Sequence, residues 1–173
     1  MVLLIQPLIP ALRRYARALM RDPSEADDLV QDCLEHAISR WRQRRADGNA
    51  CAWIFTILHN LAINRLRQAA HRGRHVSIED AGDASPSSPA TQEDALRHRD
   101  ILQALADLPE DQRSVVLLVS VEGLSYAEVA AVLDIPLGTV MSRLSRGRER
   151  LRQAMEGEAV AKPIGGANLR RVK

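Results

Sequence analysis

The sequence predicts an all-α chain of two small helical domains joined by a flexible linker. Three observations predict it. Leu, Ala, Val, Ile and Arg dominate the 173 residues, and only two Trp, two Tyr and one Phe occur, a composition that leans towards helix. No alternating run of strand length and no internal repeat is present. Residues 76–91 hold Gly82, several Ser, two Pro and a series of acids with almost nothing to bury, which reads as a linker. The division is therefore a domain over 1–75, an acidic linker over 76–91, a second domain over 92–156 and a disordered basic tail over 157–173. Each domain is near the size at which one core is only marginally stable.

In the first domain, Leu8, Leu12, Tyr15 and Leu19 share one helical face. Asp22-Pro23-Ser24-Glu25 starts a second helix, with Asp22 as cap, Pro23 at the first helical position and Glu25 reaching back. That helix continues through Leu29, Val30, Leu34, Ile38 and Trp41, ending before the turn cluster Asp47-Gly48-Asn49. A third helix spans about Ala50 to Ala70, with Trp53, Ile54, Ile57, Leu58, Leu61 and Leu66 as its apolar positions.

In the second domain, Leu96, Leu102, Leu105 and Leu108 mark one helix. Pro109 opens the next, through Val115, Val116, Leu118 and Val119, and Gly123 stops it. Ser125 and Glu128 form a capping box for a short helix carrying Val129, Val132 and Leu133. Pro136 suits the first position of the helix after it, in which Val140, Leu144 and Leu151 face inward. Arg143, Arg146, Arg148, Arg150 and Arg152 surround that apolar line. Two short helices with a basic second one form the helix-turn-helix that places side chains in a DNA major groove.

The net charge of +2 is unevenly spread: +5 over 1–75, −5 over 76–95, −1 over 96–156 and +3 over 157–173. Residues 137–153 hold five Arg against one Glu, so the second domain sets one basic helix on an acidic remainder and turns that side to phosphate. Cys33 and Cys51 fit no zinc template and read as buried small hydrophobes in a reducing compartment. The apolar start Met1–Ile5 lacks a basic n-region and is interrupted by Pro7 and Pro10, so no secretory leader is expected, and no run reaches transmembrane length. Phosphate-cradling Gly-rich loops and supported nucleophile motifs are absent. His71 and His75, one turn apart without a third ligand, read as a solvated helix end. No catalytic residue, cofactor, metal or small-molecule substrate is expected.

Three stretches, in order, carry a resemblance covering nearly all of 8–155. Asp27-Asp28-Leu29-Val30-Gln31-Asp32, then Ala52-Trp53-Ile54-Phe55-Thr56-Ile57-Leu58-His59-Asn60-Leu61-Ala62-Ile63-Asn64, then Leu124–Ala130 with Pro136–Leu144, together resemble an extracytoplasmic-function (ECF) sigma factor of bacterial RNA polymerase, group 4 of the sigma-70 family. The resemblance implies that the first stretch belongs to sigma region 2 and docks on the β′ clamp helices. Asp28, Asp32 and Glu35 lie at i, i+4 and i+7, with Leu29 and Gln31 in the same docking surface. The second stretch is implied to melt and read the −10 promoter element, with Asp47, Gly48, Asn49, Ala50 and Asn60 around an unstacked base. Asn64 lies one turn from Asn60, and Arg65 and Arg67 hold phosphate, with Arg72 and Arg74 continuing the charge. Trp53 and Phe55 offer faces for stacking, with a core role favoured for Trp53.

The third stretch is implied to be region 4, reading the −35 element. Leu137, Gly138 and Thr139 present backbone N–H groups to phosphate, and Gly138 permits close approach. Met141, Ser142, Ser145, Arg146 and Gly147 face bases, Arg146 as the guanine contact, while Arg143 and Arg148 hold phosphates. The implied partners are core polymerase (β′ clamp helices and β flap), promoter DNA and an anti-sigma factor, itself membrane-linked, that restrains the protein in the cytoplasm until a signal arrives. Two other readings stand beside this one. A sigma-mimic decoy would sequester the anti-sigma factor without touching DNA, yet the Arg and Asn groups above are retained. A repressor using only the helix-turn-helix leaves the first 75 residues without a role.

Overall fold

The computed structural model describes residues 2–20, 22–44, 48–72 and 92–161. Asp47, Arg74, His75, the stretch 76–91 and residues 162–173, for which expectations are stated above, lie outside them. All regular structure among the described residues is helical.

Helix α1 (Val2–Ile5) passes through a 3₁₀ turn at Gln6–Leu8 into α2 (Ile9–Leu19). Pro7 and Pro10 both stand in first-turn positions, where a missing N–H breaks no helical bond. Leu12, Tyr15, Ala16 and Leu19 form the buried stripe of α2. Helix α3 (Pro23–Ser39) begins as its sequence dictates: the Asp22 carboxylate accepts the Ser24 and Glu25 N–H groups at 2.6 and 3.1 Å. Its buried positions, Ala26, Leu29, Val30, Cys33 and Ala37, repeat at three- and four-residue steps. The helix stops at Ser39, so Trp41 lies instead in a separate 3₁₀ turn, Trp41–Gln43. Helix α4 (Ala50–Arg72) buries Ile54, Phe55, Leu58 and Ala62 completely. The Phe55 ring meets Tyr15 edge-on at 5.5 Å, so Phe55 is core and is not available to stack on a base.

The second half starts with α5 (Gln92–Ala106), in which Leu102 remains about half exposed. Helix α6 (Glu110–Val116) follows, with Pro109 in the cap position just before it. It winds into a π-helical turn, Leu117–Val121, unexpected from the sequence, and Gly123 with φ of +70° reverses the chain. Helix α7 (Tyr126–Leu133) carries the expected capping box between Ser125 and Glu128. Asp134 takes the left-handed conformation that ends it. Helix α8 (Leu137–Ala161) packs on α6, α7 and α5. Pro136 sits one residue before it and accepts the Thr139 and Val140 N–H groups. Val140 and Leu144 are buried and Leu151 is partly so. The helix runs on to Ala161, five residues into the stretch expected to be disordered.

The two halves are not separate. Helix α7 lies on α4, and α2 touches α5 and α6. Their buried residues form one continuous cluster, from Leu12 and Phe55 through Leu118 and Val129 to Val140.

Candidate nucleic-acid interface

The outer face of α8 begins with Leu137 and Gly138, both exposed, and the half-buried Thr139. A Cβ added at Gly138 would meet nothing within 4 Å, so internal packing does not require a glycine there. Met141, Ser142, Ser145 and Arg146 are exposed along the next two turns. The Arg146 guanidinium folds back, donating to the Ser142 carbonyl at 3.2 Å. Gly147 departs from the base-facing expectation. It is buried, and a Cβ there would stand 2.7 Å from Val116 Cγ2. The packing of α6 on α8 leaves no room for a side chain there. The basic residues also divide. Arg143 is drawn inward to Asp111, 3.1 Å away. Arg148 donates to Ser120 Oγ at 3.1 Å, and Arg152 is paired with Glu149 and Glu156. Arg146 and Arg150 keep exposed side chains.

On α4, Asn60 and Asn64 are exposed one turn apart, with Arg67 exposed beyond them. Arg65 does not join that row. It forms an ion pair with Asp32 and donates to the Glu25 carbonyl at 2.9 Å, pinning α4 to α3. Ahead of α4, Gly48 is exposed and Ala50 half-buried. The Asn49 side-chain oxygen accepts the Cys51 N–H at 2.9 Å and caps the helix, while its amide donates to Glu128 on α7. Trp53 is half-buried, edge-on to Trp41 at 6.0 Å, in keeping with packing rather than stacking on a base.

Helix α3 turns Asp28, Gln31 and Glu35 to solvent, and Gln31 donates to Glu35 at 3.2 Å. Asp32 is half-buried against Arg65. Leu29, expected in the docking surface, is fully buried. The 100° step per residue that aligns Asp28, Asp32 and Glu35 turns its neighbour Leu29 into the core.

Several contributors are not apparent from local sequence. Arg44 lies 5.0 Å over the Trp41 ring and donates to the Gly48 carbonyl at 2.8 Å. Arg14 holds Glu122 from the far half of the chain side-on, Nη2 and Nε donating to the two carboxylate oxygens at 2.9 and 3.3 Å. Each joins residues with no periodic signal between them; only the Arg-rich run around Trp41 hinted at the first. The Tyr15 hydroxyl is bonded to His59 Nδ1 at 3.0 Å, and burial pushes the His59 imidazole down to about 4. Burial likewise pushes the Cys33 thiol up to about 12 and raises Cys51, which keeps both thiols protonated and unreactive near neutrality. Among the described residues no cluster of His, Cys, Asp and Glu is arranged to hold a metal. No helix among them is long and apolar enough to cross a membrane.

Comparison with known proteins gives matches along both halves. Residues 5–59 match the model of the Sigma2 domain of PhyR, and residues 98–151 match that of Sigma-70, region 4. The chain is 34% identical to the ECF RNA polymerase sigma factor EcfG of Rhodopseudomonas palustris, covering 83% of this chain and 78% of the relative. It is also 34% identical to SigL of Mycobacterium tuberculosis, over 84% of this chain and 82% of the relative. Among solved structures it is similar to the sigma factor RpoE of Bartonella quintana, in complex with the anti-sigma factor NepR. The TM-score is 0.77 at 32% identity, over 88% of this chain and 94% of that one. The PhyRSL–NepR complex of Sphingomonas shares the fold, with a TM-score of 0.64 at 17% identity over 99% and 98% of the two chains.

Proposed function

The chain belongs to the extracytoplasmic-function sigma factors of bacterial RNA polymerase, and from that premise we propose how its surfaces divide the work of promoter selection. It is a specificity subunit rather than an enzyme; synthesis of RNA is the chemistry of core polymerase. Residues 1–75 serve as region 2, 92–156 as region 4, and 76–91 as the connection between them. The outward face of α3, with Asp28, Gln31 and Glu35 and the edge of Asp32, docks on the β′ clamp helices, its carboxylates meeting basic groups there. Region 4 approaches the β flap. The exposed Asn60 and Asn64 offer amides able to read unpaired base edges of the −10 element, with Arg67 beside them for phosphate. Gly48, Asn49 and Ala50, at the start of α4, form the pocket for an unstacked base. At −35, Leu137, Gly138 and Thr139 set the helix start against phosphate, Met141, Ser142, Ser145 and Arg146 face the groove, and Arg148 and Arg143 hold the backbone once released from Ser120 and Asp111. The protein works in the cytoplasm, where an anti-sigma factor, itself membrane-linked, restrains it until a signal arrives, as NepR binds RpoE.

The observation that carries this reading is the helix-turn-helix whose second helix leaves Ser142, Ser145 and Arg146 exposed along its outer face. A decoy has no use for that face, although the match of residues 5–59 to the PhyR sigma-like domain keeps the decoy as the second reading. Run-off transcription with core polymerase on a panel of promoter fragments separates them. New initiation at a subset of promoters, lost in Arg146→Ala, is the expected result. Binding to core and to an anti-sigma factor without any initiation would establish the decoy.

A further inference from the structure

The outer face of α8 exposes apolar groups in the middle of a surface built for a charged partner. Leu137 is 45% exposed and Met141, one turn on, is 47% exposed, while Tyr126 at the start of α7 is 38% exposed. Single apolar side chains on a surface need no explanation, but these three adjoin. Leu137 and Met141 are i, i+4 neighbours on one helix face, and Met141 and Tyr126 line one groove between α7 and α8. The core does not require them, because Val140 and Leu144 close the inner face of the same turns.

Around Met141 the other groups are short or committed. Gly138 and Ser145, a turn to either side, are small. The Ser142 hydroxyl donates to the Thr139 carbonyl at 3.1 Å, and Arg146 Nε folds back to the Ser142 carbonyl at 3.2 Å. Farther along the groove Arg148 is bonded to Ser120 and Arg152 is paired with Glu149. Met141 is thus the long side chain at the centre of this face, and it is apolar. A thioether donates no hydrogen bond and accepts only weakly, so Met141 cannot read a base by the donors and acceptors of its edge. In the major groove one base offers it something else. Thymine carries a C5-methyl beside O4, whereas guanine shows two acceptors, cytosine an amino donor, and adenine an acceptor and a donor. An apolar side chain pressed on a polar edge strips its water without replacing it. Pressed on the methyl, it buries apolar surface at no such cost.

We propose that Met141, supported by Leu137 and Tyr126, reads thymine 5-methyl groups in the −35 element, so that this chain selects a thymine beneath the first turns of α8 and rejects guanine or cytosine there. The proposal rests on the assignment of that face to the −35 duplex. It gives the face two modes of reading: Arg146 by hydrogen bonds once turned from Ser142, and Met141 by methyl contact.

The test uses holoenzyme assembled with the full chain and a promoter fragment that it transcribes. Each thymine of the −35 element is replaced in turn, on either strand, by deoxyuracil, which removes only the methyl, and competition binding gives the affinity of each fragment. Deoxyuracil at one position, or at two adjacent ones, is expected to weaken binding about fourfold. Cytosine there should weaken it about tenfold or more, and 5-methylcytosine less than cytosine. Holoenzyme with Met141→Ala should bind the thymine and deoxyuracil fragments alike. Indifference of the parent to every deoxyuracil, or a loss that Met141→Ala leaves intact, overturns methyl reading. In either case, initiation that is still lost in Arg146→Ala keeps α8 on the −35 element. If Arg146→Ala and Met141→Ala both bind and initiate as the parent does, the −35 assignment itself falls. Matching thermal melts of the parent and Met141→Ala show that the comparison is between folded proteins.

Discussion

Gly147 and Gly138 lie about two and a half turns apart on α8 and play opposite parts. At Gly147 a methyl group would press on Val116 Cγ2, and a β-branched core residue has little room to yield. Overpacking of this kind costs about 1–3 kcal/mol, against about 1 kcal/mol gained by replacing a mid-helix glycine with alanine. Gly147→Ala is therefore expected to lower stability by about 1 kcal/mol net and Gly147→Leu by more than about 2 kcal/mol, read from urea unfolding. Gly138 has open space around it. Gly138→Ala should leave stability unchanged or slightly raised while weakening binding to a −35 duplex several-fold by fluorescence anisotropy, since only a ligand's backbone would meet the new methyl. His59 supplies a pH signature. Its folded value of about 4 lies below the ordinary 6.5 because burial disfavours the charged ring. The unfolded chain takes up a proton below pH 6.5 that the folded chain refuses until about pH 4. Stability is thus unaffected above pH 6.5 and falls as pH drops from there to 4, by up to about 3 kcal/mol. Unfolding midpoints at pH 7.5 and 5 check this, and His59→Phe should flatten the profile.

At the scale of elements, α3 and α4 show how one helix divides its duties by face. Asp28, Gln31 and Glu35 point outward while Leu29, Val30 and Cys33 pack inside, so Asp28→Arg should sharply weaken core binding without altering the melting temperature. The two basic and amide positions on α4 should separate in the same way. Asn60→Ala is expected to reduce −10 strand affinity by about 1–3 kcal/mol and leave stability alone. Arg65→Ala should instead lower stability, because it strands Asp32 and frees the Glu25 carbonyl; thermal melts beside oligonucleotide titrations distinguish the two. The elements themselves were legible in the sequence. Asp22, Asn49 and Ser125 stand where helices start, and Gly123 stands where one must turn. The apolar periods in α2, α3 and α4 pick out most of the core. The use of each charge was not legible. Arg65 and Arg67 look alike in the chain, as do Arg143 and Arg146, and only the position of Asp32 and Asp111 in space decides which of each pair turns inward. The π turn at Leu117–Val121 likewise has no local signal, since its residues would suit an ordinary helix.

For the whole molecule, the middle of α2 and the residue before α4 meet residues more than seventy positions away, and nothing in composition or spacing foretells such pairs. Arg14 and Glu122 are ordinary surface residues in sequence, and Glu128 is accounted for by its own capping box. The union of the two halves therefore emerges only from the fold. It has a practical consequence of an optical kind. Both tryptophans of the chain, Trp41 and Trp53, sit in the first half, and Trp53 lines the groove beneath Ala131 and Val132 of α7, with Trp41 against its edge. The chain thus contains its own fluorophore at the seam, with its one other indole stacked edge-on beside it. Emission should shift to longer wavelength when α7 departs and water reaches the ring. A urea titration of the unlabelled protein, read by fluorescence beside circular dichroism, would show whether the seam opens before the helices melt.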